Sequence, residues 1–131
     1  MQESQYARSL IEASRDPLVT ISIEGKIMDM NQAMMNMTGL SREELTGSDF
    51  MEYFTDSFKA RAVYKEVFAS GFVKDYPLTM KDHHLTDVLF NGSVYMDGKG
   101  QTLGAVVVAR DITEQRRIES ELTEARDFAE L

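Results

Sequence analysis

Few side chains in this chain could do chemistry. Histidine occurs only as the neighbouring pair His83 and His84, after Asp82, and cysteine does not occur at all. Adjacent residues of an extended chain point to opposite faces, so two neighbouring imidazoles chelate poorly unless a turn curls between them. The lack of cysteine excludes disulfides, thiolate metal sites, thiol nucleophiles and thiol adducts to a cofactor. Serine and aspartate are plentiful, but only His83 and His84 could act as an imidazole base near neutral pH, and no nucleophile and orienting partner accompany them. Asp97-Gly98-Lys99-Gly100 carries glycines, yet it lies between two strand-like runs and not before a helix, so it reads as a hairpin turn and not a phosphate loop. The expectation is therefore no catalytic residues and no metal site, with residues 82–84 forming an exposed hairpin tip.

The elements that must position whatever site exists fit one domain. A chain of 131 residues, 43% apolar and 27% charged, can bury a real core. No apolar run approaches the roughly 20 residues of a membrane span; the longest, Ala105 to Ala109, is strand-sized. The opening residues lack the basic and apolar stretches of a signal peptide, so a cytoplasmic location is expected. A net charge of −8 repels phosphate backbones and anionic lipid, which makes nucleic acid and membrane surfaces poor partners.

Periodicity predicts a helix over residues 4–14, with Tyr6, Leu10 and Ala13 on one face, ended by Asp16-Pro17. Two short strands, 18–22 and 26–30, meet at Glu24-Gly25. Asn31 caps a helix over 32–38 that Gly39 ends, and Ser41 with Glu44 forms a capping box. A small helical piece follows at 49–54, and a longer helix at 57–70 is stopped by Gly71. Three strands come next, 73–81, 85–96 and 101–112, and a charged helix over 113–131 closes the chain. The predicted units are an N-terminal cap helix, 1–14, a core, 15–112, and a C-terminal helix, 113–131. One antiparallel sheet with helices on one face, an α+β arrangement, satisfies this order.

Three stretches give the chain a resemblance to the PAS family of sensory domains. They are Gly25-Lys26-Ile27 leading through Asn31-Gln32-Ala33 to Thr38-Gly39-Leu40-Ser41-Arg42-Glu43-Glu44-Leu45-Thr46-Gly47, then Asp97-Gly98-Lys99-Gly100, and finally Arg110-Asp111-Ile112-Thr113-Glu114. The resemblance covers residues 9–115. It implies a PAS-like fold with a five-stranded sheet in the order 2-1-5-4-3, helices over one face enclosing a pocket, and a terminal helix that signals to a histidine kinase, a cyclase or another PAS unit. The turn at Asp82-His83-His84 departs from the usual glycine-bearing one. The same tripeptide resembles a motif of metal-dependent phosphoesterases, whose further acidic and histidine motifs are missing here.

If the strands alternate as the family implies, Tyr76, Leu78, Met80, Val88, Phe90, Gly92, Ala105, Val107 and Ala109 face the helices. Met34, Met35, Phe50, Phe54, Phe58 and Val67 could close over them, and Gly92 with the alanines would leave room for a small apolar or flat ligand. Filling a core is the commoner use of such stripes, and of the five methionines between Met28 and Met37. Set against the family's cofactors, a covalent flavin adduct, a thioester-linked chromophore and c-type haem all need cysteine. Non-covalent haem usually needs a histidine on the helix at 57–70, which has none. Clustered cations for a small anion are not evident, since Arg110 alternates away from the pocket.

Asp111 and Thr113 lie where the last strand becomes the terminal helix, and either oxygen could cap it; Asp111 could also pair with Arg110 or Arg116. Gln115, Ile118, Leu122, Ala125 and Ala129 make a short heptad seam, enough for a parallel homodimer only with help from the domain or from further chain. The expected role is a sensor or signal-transduction module. A ligand-free dimerisation or docking module and, more remotely, a small enzyme are the alternatives.

Overall fold

The computed structural model describes residues 2–81 and 85–129. His83 and His84, and the expected hairpin tip they form, lie outside the described residues. The elements are α1 (Gln2–Ala13), β1 (Leu18–Ser22), β2 (Ile27–Met30), α2 (Gln32–Thr38), α3 (Arg42–Leu45), a 3-10 turn (Phe50–Tyr53), α4 (Ser57–Ser70), β3 (Phe72–Lys81), β4 (Leu85–Met96), β5 (Thr102–Asp111) and α5 (Thr113–Ala129). The strands form one five-stranded antiparallel sheet in the order β2-β1-β5-β4-β3. This is the α+β architecture and strand order that the residues and the resemblance implied.

Local chemistry sets the boundaries. The Ser41 hydroxyl accepts from the Glu44 N–H while the Glu44 carboxylate accepts from the Ser41 N–H, a reciprocal capping box for α3. The Asp56 carboxylate caps α4, and Gly71 ends it at φ 95°, a left-handed conformation that a side chain disfavours. Along α4 the buried side chains are Ala60, Val63 and Val67, a narrow stripe resting on the sheet.

On the sheet, Val19, Ile21, Leu78, Met80, Val88, Phe90, Ala105, Val107 and Ala109 all face the helices and are buried. The odd spacing between Val73 and Tyr76 is absorbed by a β-bulge. Lys74 and Asp75 lie opposite Asn91 alone, between the pairs Val73–Gly92 and Tyr76–Phe90. Asp75 takes φ 53°, and its N–H donates to the Asn91 carboxamide oxygen at 3.0 Å.

Asn31 joins more elements than any simple cap. Its side chain is fully buried. The carboxamide oxygen accepts from Met34 N at 3.1 Å, capping α2, and from Leu18 N at 3.0 Å on β1. The carboxamide nitrogen donates to the carbonyls of Ile11, Ser14 and Asp16 at 3.1, 3.3 and 3.0 Å. Asn31→Ala strands these groups without partners, so it should cost about 2–4 kcal/mol in urea denaturation. At Gly104 on β5 a Cβ would lie 2.2 Å from the Ile21 carbonyl oxygen of the neighbouring β1. Gly104→Ala should therefore cost about 1–3 kcal/mol, whereas Gly98→Ala, with nothing within 4 Å, should leave the midpoint unchanged.

Candidate functional site

Two places could carry function: the layer between helices and sheet, and the joint between β5 and α5. In the first, the rings of Phe50, Phe54 and Phe90 meet. Phe50 and Phe54 pack edge to face at 5.2 Å between centroids, and each lies 6.4 Å from Phe90. Met34, Met80, Val67 and Val88 surround them with no exposure. Gly92 does not leave open room. A Cβ there would meet Phe90 Cε1 and Val67 Cγ2 at 3.0 Å, so those side chains use the volume.

Most of the residues expected at this layer are brought together there. Met35 and Tyr76 are only partly buried against it. Phe58 is not part of it: its side chain is 88% exposed. It lies two positions before Ala60, about 200° around the helix from the buried stripe, so it faces solvent. Lys59 places its ammonium 5.6 Å from the centre of the Tyr76 ring at the rim of the same layer. Among the described residues, no group of three or more His, Asp or Glu side chains is placed to hold a metal ion.

The joint is more tightly specified than the sequence suggested. The Asp111 carboxylate accepts from Thr113 N at 2.9 Å and so caps the start of α5. Asp111 does not pair with Arg116. That guanidinium goes to Asp87 on β4, at 3.1 Å, because the first turn of α5 carries it back over the sheet. Arg110 is exposed, as alternation predicted.

Asp87 is the residue that sequence reasoning missed. Its backbone carbonyl accepts from Ile112 N at 3.1 Å, its Oδ2 accepts from Arg116, and its Oδ1 accepts from the Thr79 hydroxyl at 2.9 Å. Thr79 in turn offers its carbonyl to Thr55 N at 2.9 Å, which reaches the segment leading into α4. Ile112 is buried between strand and helix. A signal was present in the sequence: a hairpin symmetric about position 83 sets 79 directly opposite 87, and those two residues are cross-strand partners.

Beyond the joint, α5 stands in solvent. Ile118 is 52% and Leu122 71% exposed, and Ala125 is exposed beside them. The other faces carry charge pairs, with Arg117 bonded to Glu114 and, at 2.6 Å, to Glu121. The Arg117 hydrogen bond and charge hold the Glu114 carboxyl below the usual carboxylate range. Ile118, Leu122 and Ala125 thus form a short, exposed apolar line down a charged helix.

Residues 5–112 match the PAS fold family. The cell-division control histidine kinase PdhS of Brucella ovis is 28% identical over 138 residues, an alignment that takes in 94% of this chain and 12% of that kinase. This chain thus spans about an eighth of the kinase it is similar to. A PAS domain from Colwellia psychrerythraea superimposes with a TM-score of 0.75 at 20% identity, covering 87% of this chain and 99% of that one. The PAS domain of Bordetella pertussis BvgS gives 0.66 at 18% identity, covering 95% and 98%. The match to the family extends from α1 through the whole sheet to the joint, and the chain belongs to the PAS family.

Proposed function

We propose that this chain is a signal-relay module of a cytoplasmic sensor protein, in which a change in the sheet is read out by α5 and passed to an output module of the histidine kinase class. The observation that carries this reading is the double grip of Asp87, which holds the Ile112 N–H by its backbone and Arg116 by its side chain. A shift of β4 against β5 must therefore move the first turn of α5. The exposed line of Ile118, Leu122 and Ala125 supports a parallel dimer, since two such helices side by side bury each other's apolar faces and reach one module together. Input then acts as a population shift between two settings of sheet and helix. The sequence similarity to a histidine kinase supports that class of output.

A second reading gives the inner layer a small apolar or flat ligand among Met34, Phe50, Phe54, Met80 and Phe90. It is favoured by the methionines, whose flexible side chains could repack around a guest. It requires the three rings to part, because they now touch. Native mass spectrometry of the purified protein separates the two, since a co-purifying small molecule supports the second.

Truncation after Leu122 should weaken self-association at least tenfold in sedimentation equilibrium, by analogy with the heptads a short seam needs. Equal association of the truncated and full chains would remove α5 from the dimer. At the joint, Asp87 and Arg116 are 42% and 53% exposed, so solvent screens the pair. A double-mutant cycle of Asp87→Asn and Arg116→Gln should give a coupling below about 1 kcal/mol in stability. Hydrogen exchange at residues 113–118 should nevertheless rise in both variants. Unchanged exchange there would show that the pair does not set the helix.

A further inference from the structure

We infer that α1 is a detachable cap, held on the edge of the sheet by a ring of charges and released by salt or by loss of one arginine while the core stays folded. The first ground is burial. Among the described side chains of α1 none is buried; Ile11 is partly exposed and Leu10 is 57% exposed. Among these described side chains, therefore, apolar contact contributes little to docking.

Polar groups take its place. Arg8 of α1 hydrogen-bonds the Asp29 carboxylate on β2, and Arg42 of α3 binds the other oxygen of the same carboxylate at 2.8 Å. Glu12 of α1 closes the ring, 3.5 Å from Arg8 and 3.7 Å from Arg42. The Asp29 hydrogen bond makes Arg8 hold its proton more firmly than a free guanidinium. All four side chains are 31–43% exposed, so mobile ions reach the ring and screen it.

The second ground is what remains when α1 leaves. Asp29 keeps Arg42. The Met30 carbonyl accepts from both Arg8 and Arg42, at 3.4 and 3.2 Å, and keeps the latter. The Asn31 carboxamide loses Ile11 but keeps Ser14 and Asp16, which lie beyond the helix. Among the described residues, Gln32 N loses its partner, the Glu12 carboxylate, and its residue is exposed to water. Among the described residues, the Met30 carbonyl and the Asn31 carboxamide, the buried groups that α1 touches, thus each keep a partner in the core after release. Once undocked, a helix of 12 residues is marginal in water and melts.

Hydrogen exchange of the whole chain, read by mass spectrometry, tests this. Raising NaCl from about 20 to about 500 mM should speed exchange in residues 2–13 by up to roughly fivefold. Arg8→Gln should do the same at low salt. Neither change should alter protection in β4 and β5 or the urea midpoint. Arg42→Gln, which removes the retained partner, should lower the midpoint as well. Two results overturn the inference: exchange in α1 indifferent to both salt and Arg8→Gln, or a midpoint that falls with Arg8→Gln as far as with Arg42→Gln.

Discussion

The buried carboxamide of Asn31 holds the start of the fold together. One planar group satisfies donors on β1 and α2 and acceptors at the end of α1 and on the link from α1 to β1, at a fully buried position. A shorter or charged side chain could not reach both sides with the right mix of donors and acceptor. With that corner set, β1 lies against β5, β5 is central, and the end of β5 is placed to launch α5. The roof of short helices then only has to close over a face already aligned.

Much of this was legible beforehand, and the reasons differ by residue. The capping box at Ser41 and Glu44, the stop at Gly71 and the alternation of Val88, Phe90 and Gly92 are local, and local chemistry decides them. The inner layer was legible as a set but not in detail. Phe58 has the right chemistry for a core and the wrong angle on its helix, because the stripe follows Ala60, Val63 and Val67. The role of Asp29 was not legible, and of Asp87 only the cross-strand pairing with Thr79 was. Each gains its meaning from residues brought in by other elements: Arg8 and Arg42 for one, Thr79 and Arg116 for the other. Asn31 was read as a cap, which is true, but three of its five side-chain hydrogen bonds go to backbone 15 to 20 residues earlier.

The two ends of the chain are attached by different physics. The C-terminal helix leaves the sheet through a buried Ile112, a backbone hydrogen bond and a cap, so its root is firm while its length is free. The N-terminal helix has the opposite character, with polar fastening along its side. A rigid root transmits motion well, because strain at the sheet cannot dissipate before it reaches the helix.

The bulge at Asp75 also bears on how the molecule behaves in a crowd. It lies in β3, a strand with only one neighbour in the sheet, whose outer side would otherwise invite another chain to add on. Left-handed Asp75 kinks that border, Pro77 offers no N–H, and exposed Lys74 and Lys81 make the approach of a like strand unfavourable. Growth of the sheet from molecule to molecule along this border is thereby discouraged.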